Sequence, residues 1–474
     1  MKITLKRDTN SSGFTIVELL VVIVVIGILA AITIVSYIGV SNRATVSGLQ
    51  SDLSSGVNKL KLYYTEYGVY PDSPLSGSNC PTGAVNPVDA RYCLKPTPGN
   101  VYTYTSLSPY KSFKLIVTNT VSSLAYAVTD TTPIAVYVPP TGILTALASP
   151  TIATGTNPRA IVTSGDGTSV YTANYGDNNI SMFSRNTVTG ALTALATPTI
   201  AAGALPYGIT ISADGKSVYV ININDSNISM YSRNTTTGAL TALASPTIAT
   251  GYTPYGITIS ADGTSVYVVS WAANSISMYS RNTGTGALTA LATPTIVTGS
   301  SPEGIAISAD GTSVYAVNNS DKTISMYSRN TGTGALTALA TPTIATGNIP
   351  QCITVSPDGS SVYVINSGNN NIGMYSRNTV TGALTALASP TIATGISPYG
   401  ITISADGLSV YATNYGASSV SMFSRNTGTG ALTALATPTI ASGALPYMMS
   451  NSPDGNSGYV VNFNDNNISL YTRN

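Results

Sequence analysis

No histidine occurs anywhere in the 474 residues. That absence removes the usual general base, the imidazole of Ser-His and Cys-His nucleophile pairs, and the commonest nitrogen ligand of zinc. Charge is scarce as well: Asp, Glu, Lys and Arg make up 8% of the chain, against about 25% in an ordinary soluble protein. The net charge is +1, which gives no electrostatic footprint for nucleic acid or for an acidic surface. Cysteine is limited to Cys80, Cys93 and Cys352, and tryptophan to Trp271. Isolated carboxylates such as Asp177, Asp225, Asp321 and Asp465 lack the clustered oxygens that calcium needs, so no metal and no cofactor is expected. Ser, Thr, Asn and Gly fill the surface instead, a neutral and hydroxyl-rich composition that suits an extracellular protein.

What is present begins with a short polar leader carrying Lys2, Lys6 and Arg7 and ending at Gly13. An apolar run opens at Phe14 and reaches about Val35, with Glu18 near its start. The run approaches the roughly 20 residues needed to cross a bilayer and exceeds the roughly 7 to 15 of a secretory signal core. A carboxylate in hydrocarbon costs at least about 2.5 kcal/mol unless paired or neutralised, so Glu18 wants a partner. Gly13-Phe14-Thr15-Ile16-Val17-Glu18 resembles the start of the type IV prepilins, with their N-terminal methylation motif. The resemblance implies cleavage by prepilin peptidase between Gly13 and Phe14, and residence of the precursor in the inner membrane. It further implies assembly with other pilin subunits through the N-terminal helix, where Glu18 meets the free amine of Phe14 on a neighbour.

From Ser41 to about Tyr67 the apolar spacing stays helical, through Leu49, Leu53, Val57, Leu60 and Tyr64, with no proline before Pro71. The spacing predicts one helix over 14–66, transmembrane over about 14–38, and roughly 80 Å long. Leu60-Lys61-Leu62-Tyr63-Tyr64 followed by Tyr67-Gly68-Val69-Tyr70-Pro71 resembles the helix exit of small pilins and major pseudopilins. A small globular domain over 67–138 should follow, with strands near Tyr102–Tyr104, Phe113–Val117 and Ala125–Val128 packed on the helix. Cys80 and Cys93 are expected to be bridged outside the membrane, closing a loop worth roughly 3 kcal/mol in the chain-entropy model.

Asp-Gly turns then recur every 48 residues, at Asp166, Asp214, Asp262, Asp310, Asp358, Asp406 and Asp454. Seven units give 7 × 48 = 336 residues, the full length of 139–474. Each unit holds four short runs of β-branched and aromatic residues between Gly, Asn and Asp turns, as in Pro206–Gly215, Ser217–Asn222, Ile228–Asn234 and Gly238–Leu243. A period of 40 to 50 residues with four strands predicts a mainly β fold, a seven-bladed β-propeller. The array opens with the end of a unit, over 141–155, and closes before that end, so the N-terminal strand should complete the last blade and leave no open edge. The unit Ser-x-Asp-Gly-x-Ser-Val-Tyr-Val-x-Asn, with Ile-Ser-Met-Tyr-Ser-Arg-Asn and Thr-Gly-Ala-Leu-Thr downstream, resembles the lactonase-like seven-bladed propellers and the related Tyr-Val-x-Asn repeat proteins. Lactonizing relatives use His, Glu and Arg, so the missing histidine weighs against carried-over activity.

Two faces of the disc differ. On one, the Asp-Gly turns and the arginines from Arg185 to Arg473 repeat almost unchanged, which predicts structural pairing or turn capping, with anion binding as the lesser reading. On the other, the residue after the unit's proline is in turn Arg159, Tyr207, Tyr255, Glu303, Gln351, Tyr399 and Tyr447. The next loop varies in step and offers Tyr175, Trp271, Tyr415 and Phe463, with Asn319 and Ser367 on the polar blades. Such a ring either reads a ligand, a glycan or a protein, or plugs the central funnel with its tyrosines. Cys352 stands where sister units carry Gly208, Gly256, Gly304 and Gly400, and is expected to be buried and inert.

The sequence therefore predicts a non-enzymatic minor or tip pilin that displays a propeller for adhesion or ligand recognition. The alternatives are a propeller hydrolase of lactonase type tethered to a pilus, for which no base near neutral pKa is evident, and a type II secretion pseudopilin.

Overall fold

The computed structural model describes residues 45–71, 80, 90–107, 112–119, 125–129, 133–136 and 141–474. The leader, the processing residues Gly13, Phe14 and Glu18 and the membrane run lie outside the described residues. The chain divides into two compact units, Met1–Pro139 and Pro140–Asn474. Among the described residues no helix is long and apolar enough to cross a membrane.

In the first unit a helix occupies 45–67. Leu49, Leu53 and Leu60 recur at helical spacing and are almost wholly buried, because they pack on an antiparallel meander: Asn100–Leu107, Ser112–Asn119, Ala125–Thr129 and Ala135–Val136. Phe113, Leu115 and Val117 alternate inward from the second strand at 0% exposure, the period-2 pattern of a half-covered sheet. Asp52 ties helix to sheet. Its carboxylate accepts from Thr97 N, Thr97 Oγ1 and Asn100 Nδ2 at 2.7 to 2.9 Å, and its carbonyl accepts from Tyr102 Oη at 2.5 Å. Cys80 and Cys93 form a disulfide.

The second unit is seven four-stranded antiparallel sheets. A representative blade runs Pro206–Ile211, Ser217–Asn222, Asn227–Arg233 and Leu240–Ala249 from centre to rim. The second strand is buried at every position, so both of its alternating faces carry Val, Tyr and Ile, and adjacent blades bury them against each other. The rim strand is exposed over most of its length and carries a proline, Pro246 in this blade, which blunts its free edge. Ring closure is as the phase of the repeat predicts: Leu144–Ala153 pairs with Asn467–Arg473, and Gly142 N and Asn474 N reach Asn474 O and Ile143 O at 2.9 Å.

Each arginine of the repeated face reaches back to the preceding blade. Arg233, with a fully buried side chain, meets Asp166 at 2.7 Å and donates to Tyr171 Oη, Thr168 Oγ1 and Ser169 Oγ. The same pairing recurs seven times at 2.7 to 3.0 Å and includes Arg185 with Asp454 across the closure. Apart from Arg473 Nε, which is buried without a partner, these guanidinium groups are satisfied within the fold, which supports the structural reading over anion binding. Gly238 enters the same seam: its φ is +77°, and a Cβ there would lie 2.6 Å from Ser169 Oγ.

Candidate functional site

The opposite face is built differently. Each central strand begins with proline, allowed because the first strand position needs no N–H. The residue before it has left-handed backbone in every blade, from Asn157 (φ 53°) to Leu445 (φ 55°). This turn aims the residue after the proline at the central axis. Among the described residues all 14 non-glycine left-handed positions belong to the two loop sets of this face, the second set running from Asn178 to Asn466. The turns of the repeated face use glycine for the same conformation. Backbone strain is thus gathered at the mouth, where it costs roughly 1 kcal/mol or more per residue.

All seven ring residues, Arg159, Tyr207, Tyr255, Glu303, Gln351, Tyr399 and Tyr447, line one cavity of about 120 Å³. The hydroxyls of Tyr207 and Tyr399 hydrogen-bond across it. Burial holds both phenols well above their usual range, so they stay neutral. The bar they form belongs to the second and sixth blades and divides the mouth in two.

On the side of the seventh and first blades the tyrosines form a plug. Arg159 Nη1 donates to Tyr447 Oη at 2.6 Å, and its guanidinium lies over Tyr175, Tyr207, Tyr447 and Phe463, 4.3 to 5.0 Å from the ring centroids. Tyr415 abuts Tyr447 edge-on at 5.6 Å. On the side of the third, fourth and fifth blades the mouth carries Tyr255, Glu303 and Gln351. Tyr255 lies 4.8 Å from Tyr207 and 6.3 Å from Trp271, centroid to centroid. Trp271 is 41% exposed and Tyr252, one loop away, 76%. Asn319 Nδ2 donates to Glu303 Oε1 at 3.0 Å. Even so, burial pushes the Glu303 carboxyl up to about 7. The mouth therefore holds a group with near-neutral pKa, which the absence of histidine had seemed to exclude, because burial raises a carboxylate as effectively as an imidazole would supply the range.

The ring and its loops come together as the repeat comparison predicts. One side of the bar is packed by Arg159 and its surrounding rings, and the other leaves Trp271 exposed beside Tyr255. Cys352 is half-buried rather than wholly buried: it lines the cavity and also packs against the core between the fifth and sixth blades. Burial still raises its thiol pKa, which keeps it a poor nucleophile. The loop carboxylates clip neighbouring loops: Asp177, Asp225, Asp321 and Asp465 accept from Thr156, Ala204, Ser300 and Ala444 N at 2.7 to 2.8 Å. The third and sixth blades lack this clip, with Ala273 and Ala417 in place of the Asp, and the third alone also has Ser270 in place of the buried Asn of every other blade. Sequence comparison of the units contained that signal at a position not singled out. Met448 also lines the cavity unforeseen.

The family described as "Lactonase, 7-bladed beta-propeller" matches four overlapping segments, 118–254, 246–346, 305–396 and 389–474. The chain belongs to this seven-bladed lactonase propeller family. At its other end residues 8–34 match the prokaryotic N-terminal methylation motif. Over 110 residues the chain is 29% identical to type II secretion system core protein G of Vibrio cholerae, covering 22% of this chain and 75% of that protein. Over 78 residues it is 31% identical to the type IV major pilin protein PilE1 of Neisseria gonorrhoeae, covering 16% of this chain and 36% of that pilin. A crystal structure of a candidate 6-phosphogluconolactonase from Bacteroides fragilis superposes with a TM-score of 0.56 at 20% identity, over 75% of this chain and 99% of that one. At that identity the likeness is one of fold. The lactonase family propeller thus carries a pilin-type N-terminus, a combination of motif and fold that neither homologous region contains alone.

Proposed function

We propose that the chain is a pilin-type subunit that presents its propeller at the cell surface for adhesion or ligand recognition. In this reading residues 1–13 are the leader removed by prepilin peptidase, 14–38 hold the precursor in the membrane and then pack against other subunits, and 67–138 form the pilin globular domain. A propeller of this bulk on every subunit would crowd a filament, which favours a minor or tip position. The observation that carries the recognition role is the mouth. There the otherwise near-identical blades differ in charge and aromatic character, and the diverging side chains line a shared cavity with exposed aromatics beside it. The test is saturable attachment of cells or sheared filaments bearing the full chain to glycan arrays and host-cell surfaces, beside a folded Tyr255→Ala, Trp271→Ala variant. Attachment that the variant retains in full would remove the mouth from the reading.

A second reading, a tethered lactonase-type hydrolase, is favoured by one observation: Glu303, with its carboxyl near 7, could take a proton from an attacking water at neutral pH. Against it, the Arg159 guanidinium is engaged by Tyr447 and three further rings rather than free to hold a substrate oxyanion. Hydrolysis of sugar lactones by the wild type, lost in Glu303→Gln, would decide for it. The Vibrio relative keeps a secretion pseudopilus open as the machine in which the same N-terminus assembles.

A further inference from the structure

The two sides of the Tyr207–Tyr399 bar are chemically complementary, and only one is filled. Arg159 supplies the first side with a cation that four aromatic rings surround. The second side has the matching aromatics, Tyr255 and Trp271, at the same ring and loop positions one third of the way round. In place of the arginine it has acceptors. Glu303 forms no ion pair with any described residue, and its one hydrogen bond is the amide of Asn319. Gln351 Oε1 is buried without a partner and lines the same cavity. Tyr252 and Trp271 continue the aromatic surface outward, on loops joined by the hydrogen bond from Trp271 N to Thr253 O at 2.8 Å. An uncompensated carboxylate, an orphaned acceptor and aromatic faces are the groups that hold an ammonium ion. A neutral sugar would leave Glu303 without a counter-charge, and an anion would be repelled by it.

We propose that the side of the mouth bounded by Tyr255, Trp271, Glu303 and Gln351 binds the ammonium group of an alkyl amine. The ammonium sits between Glu303 and Gln351 Oε1 while its carbon stem lies on Tyr255 and Trp271. This inference rests on the recognition reading and narrows it to a ligand class. Two sources offer that chemistry at a cell surface, the lysine side chain of a protein and the amino group of an unacetylated amino sugar. The raised Glu303 pKa supports a pH dependence: the carboxylate fraction grows between pH 6 and 8. The other groups facing it are neutral Tyr255 and Tyr399, the Cys352 thiol, Asn319 and Gln351, with the Arg159 cation beyond Tyr207.

Trp271 is the single tryptophan of the chain, so its fluorescence reports this site directly. The full chain in nonionic detergent is titrated with n-butylammonium chloride and, as the neutral isostere, 1-butanol. Nα-acetyl-lysine amide and glucosamine, against N-acetylglucosamine, separate the two sources. The expected result is a saturable change with the ammonium probes alone, about tenfold tighter at pH 8 than at pH 6 for n-butylammonium and Nα-acetyl-lysine amide, whose amines stay charged throughout, and weakened at least about tenfold in Glu303→Gln. A Gln351→Leu variant, which leaves the charge in place, should weaken it less. Equal response to 1-butanol, or an undiminished response in a folded Glu303→Gln protein, overturns the proposal. Saturable binding of N-acetylglucosamine or other neutral glycans without ammonium binding also overturns it, while leaving the recognition reading intact. Attachment to cells that survives Tyr255→Ala, Trp271→Ala would instead sink the recognition reading itself.

Discussion

Replacing Glu303 with Gln should stabilise the propeller at pH 8 and leave it nearly unchanged at pH 4. Burial raises this carboxyl from its ordinary 4.5 to about 7. A carboxyl raised on folding carries no penalty where it is protonated in both the folded and unfolded states, below about pH 4.5, and penalises the folded state progressively as pH rises towards 7. Above that the penalty is constant. A rise of roughly 2.5 pH units at 1.36 kcal/mol each makes it about 3 kcal/mol. Gln keeps an acceptor for Asn319 and carries no charge, so it escapes the penalty. Thermal melts of the full chain and of Glu303→Gln across pH 4 to 8 should nearly coincide at the acid end and separate by a few degrees at the alkaline end. A separation independent of pH, or one in which the variant is the less stable at pH 8, would refute the assignment of a buried, unpaired carboxyl to the mouth.

The interblade arginines should behave oppositely. Arg329→Ala removes donors to Asp262, Tyr267, Thr264 and Ser265 and should cost about 3 kcal/mol, with Arg329→Lys recovering little because the contacts are those of a planar fork; a melt within a degree of wild type would contradict this. Hydrogen bonds and the facing arginines hold Asp166, Asp262, Asp310 and Asp358 at about 2 in spite of partial burial. The stability they confer is complete above about pH 4 and lost as pH falls through 2, so the melting temperature should drop steeply over that window, and a flat profile to pH 2 would count against the pairing. At the other end of the chain, Glu18→Ala should be processed yet fail to enter filaments. Its recovery in sheared filaments at wild-type level would remove the proposed contact with the Phe14 amine.

Much of the fold could be read from the 48-residue period, because each blade is a self-similar unit whose turns are marked by Asp-Gly and Asn-Thr and whose strands alternate apolar residues on both faces. Closure by the first strand followed from phase alone. The candidate ring was equally legible, since a position that varies while its neighbours repeat stands out within one chain. What the repeat could not show is how side chains from different blades meet at the axis. Nothing in the spacing of Tyr207 and Tyr399, 192 residues apart, says that their hydroxyls bond across the channel and split it. The charge state of Glu303 is likewise a property of burial that residue type does not reveal. That Cys352 is half-buried in the wall of the cavity was not legible either, because the sister glycines carry no side chain whose chemistry would mark the channel.

The most direct measurement of the central claim is attachment of sheared filaments carrying the full chain to glycan and cell surfaces, compared with filaments carrying Tyr255→Ala, Trp271→Ala. Recovery of propeller epitopes with the filaments and saturable attachment, lost in the folded variant, is the predicted result. Filaments that lack the propeller, or that attach equally well without the two aromatic side chains, would contradict it.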